Sequence, residues 1–500
     1  MKVTTNHSQA RGYPTDLRSP SHTYLVAKPE LKWHGRSLRT FMIPAILDTA
    51  WILAVHHCRP FGELYDLATS AGQRSCLLPP SLGPFSSFKL ERGSELRIEV
   101  EGKASVQIEL VSGFAELFGS ELVLKRKYSF SPGSRIGVFT WHGCMLQYWG
   151  SPALAYVSTD TPMLPYINTH AGLEQMWVEA EHKGKRGPRV LVAGPSNMGK
   201  TTLCRLLINY SVRLGRRPTF IDLDVEYGSL SVPGTISALR VERPADVEKG
   251  FFPQTPIVFH YGSTTPEKNI RFYNKITSHV AHLFNQQCAS GQHISLSGCV
   301  INTCGLIKGA RYQALIHAAL AFEVDLILAL GQDRLYNDLL GHLPHDMRIV
   351  FLPKSGGVSK QSKELRRKFQ YQQMRDYFYG PRGLFYPHAF EVKFSDVHIY
   401  KVEASPVSES CIPMDVSKDD TKLKLVPVTP GMEIAYHLMS LVLVDGMKAE
   451  ESFEERSVAG FIAITGVNTK KGTFSVLSPA PMPLPKCVLL LTDVTYVELD

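Results

Sequence analysis

The chain has 500 residues, 44% hydrophobic and 20% charged, enough for about three domains with sizeable cores. Its formal net charge of +8 and pI of about 8.9 are compatible with a polyanionic partner but select none on their own. The nine cysteines (Cys58, Cys76, Cys144, Cys204, Cys288, Cys299, Cys304, Cys411, Cys487) are odd in number and form no C-x-x-C pair. This argues against a disulfide framework or zinc site and for a reducing compartment.

Residues 1–86 read as an irregular extension of unknown role, with Pro, Ser and Gly clusters around "LLPPSLGPFSS". Met1 to Thr23 has no apolar core of a secretory signal, and Phe41 to His56 is broken by Pro44 and Asp48 and too short to span a bilayer. A soluble, intracellular protein with no membrane attachment is expected.

From Phe88 the texture changes to short alternating segments bounded by Gly, Ser or Pro, such as "KLERGSELRIEVEG" and "KYSFSPGSRIGVFTWHG". In the first, Leu96, Ile98 and Val100 form a period-two apolar set with Arg97 and Glu99 between them. Several such strands about ten residues apart predict a β-sandwich over 87–165. A helical connector, 166–188, follows and closes on the basic turn of Lys183, Lys185 and Arg186, read as a solvated linker ahead of a nucleic-acid contact. Over 189–386, continuous apolar runs ("RVLVA", "TFIDLDV", "SGCVINT", "VDLILAL") alternate with helical patterns. This predicts an α/β fold with a doubly wound parallel sheet. Residues 387–500 return to strand-like alternation and predict a mixed α/β, β-rich C-terminal domain.

Chemistry is concentrated at Gly194-x-x-x-x-Gly199-Lys200-Thr201, the spacing of a P-loop. A strand leads in and an apolar-faced helix leads out to a stop at Gly215, the context the motif requires. Gly194 and Gly199 let backbone N–H groups turn toward phosphate oxygens at a helix N-terminus. Lys200 neutralises the β/γ-phosphates, and Thr201 offers its hydroxyl to Mg²⁺. The next strand ends in Asp222 and Asp224, two residues apart and so predicted to share a strand face. Asp224 serves either as proton acceptor or water-mediated metal holder, or as the cap of the following turn. His260 to Asn269 reads equally as a substrate grip or a plain turn. "KSGGVSKQSKELRRKFQYQQMRDYFYG" reads as a Gly hinge with a basic lid helix, or as a surface helix with a solvated charged face.

Together with "VPGTISALRVERPADVEKGF", "STTPEKNIRFYNKIT", "INTCG", "LPKSGG", "FYPHAF", "KLVPVTPG" and "VLSPAPMPLPK", these segments resemble the Clp-one family of polynucleotide 5′-hydroxyl kinases, subunits of pre-mRNA cleavage factor II. The resemblance runs from about Phe88 to the C-terminus. It implies ATP and Mg²⁺ as cofactors, held between the β-domain and the P-loop domain. It also implies the cleavage factor II scaffold subunit and pre-mRNA as partners, a link to tRNA splicing endonuclease in some organisms, and a nuclear location. Carried over position by position, Glu95 and Arg135 fall beside the adenine, with Arg135 standing where the family usually has Lys. Asn197, Met198, Gly199, Lys200, Thr201 and Thr202 fall on the triphosphate loop. Asp224 falls on the catalytic acid, Thr264 on the RNA clasp and Arg366 on a lid arginine, so that Lys200, Asp224 and Arg366 form the implied catalytic set.

Three positions depart from the active kinases that the chain resembles: Glu226-Tyr227 replaces Gly-Gln, Leu306 replaces a base-stacking Trp, and Gln361 replaces a second lid arginine. Base stacking on an aromatic contributes roughly 1–3 kcal/mol, and a missing phosphoryl-transfer arginine costs several powers of ten in rate. ATP binding rests mainly on the intact loop. The resemblance therefore implies an ATP-binding subunit of the 3′-end cleavage machinery, with an active RNA 5′-hydroxyl kinase as the alternative. A generic metabolic P-loop kinase leaves the flanking domains without a role.

Overall fold

The computed structural model describes residues 85–101, 104–252, 254–305, 307–358, 362–403, 423–444 and 453–498. The extension before residue 85, Leu306 and Gln361 lie outside the described residues.

Nine short strands open the described chain: Phe85–Leu90 (β1), Glu95–Glu99 (β2), Val106–Gly113 (β3), Glu116–Leu117 (β4), Ser120–Glu121 (β5), Lys127–Phe130 (β6), Arg135–Phe139 (β7), Cys144–Trp149 (β8) and Leu154–Ser158 (β9). They form two antiparallel sheets, ordered β1-β8-β3-β6 and β5-β4-β7-β2-β9. Period-two residues such as Leu96, Ile98, Val106, Ile108 and Leu146 fill the core between them. A 21-residue helix follows, Met163–Lys183 (α1), and Gly184 closes it at φ 61°.

The central sheet contains Arg189–Ala193 (β10), Thr219–Asp222 (β11), Thr235–Arg240 (β12), Ile257–His260 (β13), Cys299–Asn302 (β14), Leu326–Leu330 (β15) and Arg348–Leu352 (β16), in the order β13-β12-β11-β14-β10-β15-β16. The continuous apolar runs of β10, β14 and β15 are buried throughout, as strands covered on both faces must be. On one face pack Ile270–Ser290 (α3), Gly309–Ala321 (α5) and Asp333–His342 (α6), with Gln292–Ser297 (α4) as a short continuation of α3. On the other pack α1 and Lys200–Arg213 (α2).

The sheet departs from the wholly parallel expectation. Five strands are parallel, but β12 and β13 pair antiparallel at one edge. Residues 223–234 between β11 and β12 contain no helix, so no crossover carries the chain back, and β12 returns alongside β11 in reverse.

Helix α2 is fastened to the sandwich. Asn209 Nδ2 donates to Phe118 O at 2.8 Å and to Ser120 Oγ at 3.0 Å. Arg213 donates to Glu116 Oε2 at 3.0 Å, and the Tyr210 hydroxyl also donates to Glu116. The lid segment forms Lys363–Tyr379 (α7), capped by the Ser362 hydroxyl, which accepts from Leu365 N at 3.1 Å. Its C-terminal half is anchored: Met374 and Phe378 are buried against Phe461, Leu477 and Tyr496. The remaining strands are His388–Lys393 (β17), His398–Glu403 (β18), Lys424–Pro427 (β19), His437–Leu443 (β20), Gly460–Asn468 (β21), Thr473–Ser478 (β22) and Cys487–Thr495 (β23). They form one sheet, β17-β22-β21-β20-β23-β18-β19, joined among the described residues by short 3-10 turns and no α-helix.

Candidate nucleotide site

Gly194 leaves β10 so close to β15 that a Cβ there would lie 2.8 Å from Leu330 O. Asn197 (φ 59°) and Gly199 (φ 89°) take left-handed conformations that wind the backbone into a cup at the N-terminus of α2. Met198 and Thr202 are half-buried on either side of the Gly199–Thr201 turn. The sequence thus brings Gly194, Asn197, Met198, Gly199, Lys200, Thr201 and Thr202 into one loop, where N–H groups and the helix dipole favour an anion.

Lys200 Nζ donates to Pro195 O at 2.9 Å, across the mouth of the cup. Burial depresses its ammonium pKa, and the negative charge of Asp224 opposes the fall. Below the loop, Asn302 at the end of β14 donates through Nδ2 to Thr201 Oγ1 at 3.2 Å and to Asp222 Oδ1 at 2.9 Å. Asp222 Oδ2 accepts from both the N–H and the hydroxyl of Ser229, at 2.7 and 3.0 Å. Burial lifts the Asp222 carboxyl to about 6, with the charge of Asp224 adding to the rise. Asn302 Oδ1 is buried with no hydrogen-bond partner. An orphaned carbonyl beside a hydroxyl and a carboxylate makes an all-oxygen donor set suited to a hard cation and its waters.

Asp222 and Asp224 do not share a strand face. β11 ends at Asp222, and Asp224 lies in the turn beyond it. Asp224 Oδ1 accepts from Glu226 N at 3.0 Å and Tyr227 N at 3.1 Å, so the capping alternative is realised. Tyr227 and Glu226 then meet the lid. Arg366 Nη1 lies 3.7 Å from Glu226 Oε1, and its guanidinium sits over the Tyr227 ring, 5.8 Å from the centroid. Gln370 Nε2 donates to Glu226 O at 3.1 Å, and Gln373 donates to Gly228 O. Sequence reasoning reached Arg366 and the Glu226-Tyr227 departure separately; their contact spans about 140 residues and has no local signal.

Glu95 is buried at the start of β2, where its Oε1 accepts from Arg97 Nε at 2.7 Å. Arg135 shares the same face of the β2–β7 pair but stands four residues along, opposite and ion-paired with Glu99 at 3.5 Å. The period-two pattern places Arg97 on the solvent side, yet it is only 7% exposed. Thr264 sits half-buried on the loop after β13. That loop is tied toward Asp224 through aromatics: Tyr261 stands edge-on to Tyr273, whose hydroxyl donates to Leu223 O at 2.9 Å. On the basic turn, Lys183 pairs with Glu179 and Arg186 with Asp325. No helix among the described residues is long and apolar enough to cross a membrane.

Three family profiles match consecutive segments of the chain between residues 89 and 498. They are the N-terminal beta-sandwich domain of polyadenylation factor over 89–180, the mRNA cleavage and polyadenylation factor CLP1 P-loop over 194–380, and the pre-mRNA cleavage complex II protein Clp1 over 385–498. Relatives named polyribonucleotide 5′-hydroxyl-kinase Clp1 include one from Xenopus laevis, 63% identical over 419 residues, covering 84% of this chain and 95% of the relative. The Homo sapiens relative is 57% identical over 416 residues, covering 83% and 97%. A solved wild-type Clp1p–Pcf11p complex superposes with a TM-score of 0.70 at 23% identity, covering 83% of this chain and 99% of that one, and so shares the fold. The β-sandwich and the P-loop that follows it agree with these profiles in kind and position, and the chain belongs to the Clp1 family of mRNA cleavage and polyadenylation factors.

Proposed function

We propose that this chain is a nuclear, ATP-binding subunit of the pre-mRNA 3′-end cleavage and polyadenylation machinery. In this reading it joins a scaffold subunit in cleavage factor II and is needed for endonucleolytic cleavage. Its division is taken as an extension over 1–86, a sandwich domain over 87–165, a connector over 166–188, a P-loop domain with lid over 189–386 and a C-terminal domain over 387–500. The observation that carries the reading is an asymmetry. The phosphate cup is complete, with Lys200 and Thr201 in place, whereas of the two groups that transfer requires, Asp224 caps the backbone N–H groups of Glu226 and Tyr227 and Arg366 is held by their side chains. Binding needs the first set and transfer needs both.

In this reading Lys200 holds the β/γ-phosphates and Glu95 and Arg135 face the adenine side. Thr264 is the RNA contact. Thr201 would hold Mg²⁺ through its hydroxyl, which Asn302 orients while Asp222 anchors the Asn302 amide. When bound, the metal neutralises charge across the phosphate oxygens. The partner assignment draws on relatives within the family and on the fold shared with the Clp1p–Pcf11p complex.

An RNA 5′-hydroxyl kinase, extending to RNA ends in tRNA splicing, is the second reading. It is favoured by the negative charge of Asp224, which acts on the Lys200 ammonium, and by the name of the 57–63% identical relatives. Immunodepletion from nuclear extract followed by add-back tests the first reading. Cleavage of a polyadenylation-site RNA should be lost and then restored by the wild-type protein with its scaffold. Cleavage that survives depletion would sink it.

A further inference from the structure

The lid hinge Ser355-Gly356-Gly357-Val358 crosses three walls of the nucleotide site. At its entry the Tyr166 hydroxyl of α1 donates to Pro353 O at 2.9 Å. At its exit the Val358 side chain packs on the P-loop, where a Cβ on Gly199 would come within 3.2 Å of Val358 Cγ2. Between them the backbone lies against Arg97. A Cβ on Gly356 would stand 3.0 Å from Arg97 Nη1, and one on Gly357 2.9 Å from Nε. Neither glycine has a positive φ, so the turn does not demand glycine there; the close approach of the guanidinium does.

Arg97 is itself fixed from every other side. Nε donates to Glu95 Oε1 at 2.7 Å, Nη2 donates to Asp160 O at 2.7 Å, and the guanidinium stands over the Tyr156 ring at 5.8 Å. Its planar fork therefore joins Glu95, the carboxylate on the adenine side, to the backbone of the lid hinge. Lysine carries the same charge but cannot make this flat, multi-point contact.

We infer that Arg97 is a positioning residue that reports adenine occupancy to the lid: a base amino group drawing on the Glu95 carboxylate resets the guanidinium that seats Gly356 and Gly357. This rests on the nucleotide-site reading above. It makes the N-terminal sandwich a sensor of which nucleotide is bound, not merely a wall of the pocket. A phosphate chain without a base offers no amino group to the Glu95 carboxylate and should not engage the relay.

Hydrogen exchange on the full-length protein tests the relay with two ligands, ATP and inorganic tripolyphosphate, which fills the phosphate cup and has no base. In wild type, both should protect the P-loop amides of 194–201. ATP should slow exchange at 355–358 and in the first turns of α7 roughly tenfold more than tripolyphosphate. Arg97→Lys should retain P-loop protection by both ligands and erase the difference at the hinge. Gly357→Ala, which leaves Glu95 and Arg97 in place but pushes the hinge away, should erase it too and guards against a folding defect in the first variant. Equal hinge protection by ATP and tripolyphosphate in wild type, or an unchanged difference in both variants, overturns the inference. Absence of any P-loop protection by ATP in wild type sinks the nucleotide-site reading, and this inference with it.

Discussion

Replacing Glu226-Tyr227 by Gly-Gln should release the lid arginine. The Arg366–Glu226 pair is 3.7 Å long, with both side chains about a quarter to a third exposed. Half-screened pairs of this kind contribute about 1 kcal/mol or less. The Tyr227 ring beneath the guanidinium adds about 0.5–1 kcal/mol. Together they hold Arg366 by roughly 1–2 kcal/mol, which corresponds to about a 5- to 30-fold population bias away from the phosphate cup. Lid attachment itself survives, because Gln370 and Gln373 donate to backbone carbonyls and Phe378 is buried at the far end of α7. The assay is transfer of labelled γ-phosphate from ATP to a short 5′-hydroxyl RNA, with ATP affinity measured on the same preparation. Glu226→Gly with Tyr227→Gln should raise transfer about tenfold, the midpoint of that bias, and leave ATP affinity little changed. Adding Arg366→Ala should cancel the gain. A double variant that binds ATP normally yet transfers no faster, or a gain that persists without Arg366, would refute the reasoning.

Asn302→Ala should lower the Mg²⁺ affinity of the nucleotide complex by about 10–100-fold, as loss of a group orienting a metal ligand does. ATP affinity in EDTA should be nearly unchanged; titrating Mg²⁺ against a fixed ATP load distinguishes the two, and equal losses with and without metal would remove Asn302 from that role. Burial depresses the imidazoles of His170 and His260 from 6.5 to about 4, with the charges of Arg213 and Arg216 adding at His170 and that of Asp493 opposing at His260. Below pH 6.5 the unfolded chain takes up protons that the folded one refuses, so stability is full above pH 6.5 and falls between pH 6.5 and 4. Each imidazole costs about 3 kcal/mol when that fall is complete, and urea unfolding at pH 7.5 and 5 should register it; a flat profile would mean that both rings take up protons in the folded chain as readily as in the unfolded one.

The phosphate loop was legible in the sequence because its chemistry is local: Gly194 to Thr201 is a strand exit, a turn and a helix start within eight positions. The sandwich and the buried β10, β14 and β15 followed from periodicity alone. What escaped depends on contacts distant along the chain. β12 runs against the sheet, and β13 pairs antiparallel with it in turn, because no helix follows β11, which the apolar runs do not announce. Arg97 sits where alternation assigns a solvent-facing residue, yet it is bonded to Glu95 and to Asp160 O and lies so close to Gly357 that a Cβ there would meet it at 2.9 Å. Asp224 looked like a strand residue; the strand ends two positions earlier and its carboxylate turns to cap Glu226 and Tyr227. The consequence of Glu226-Tyr227 became readable only when α7 brought Arg366 against them.

Calorimetric titration of ATP into the full-length protein and into Lys200→Ala tests the central claim most directly. Lys200 Nζ is the charge that spans the mouth of the phosphate cup, held there by Pro195 O at 2.9 Å. The account predicts one saturable ATP site in wild type and a loss of roughly a hundredfold or more in affinity for the variant, the scale of removing a buried charge-assisted contact. Equal ATP affinity in the two proteins, or no binding heat in wild type, would contradict it.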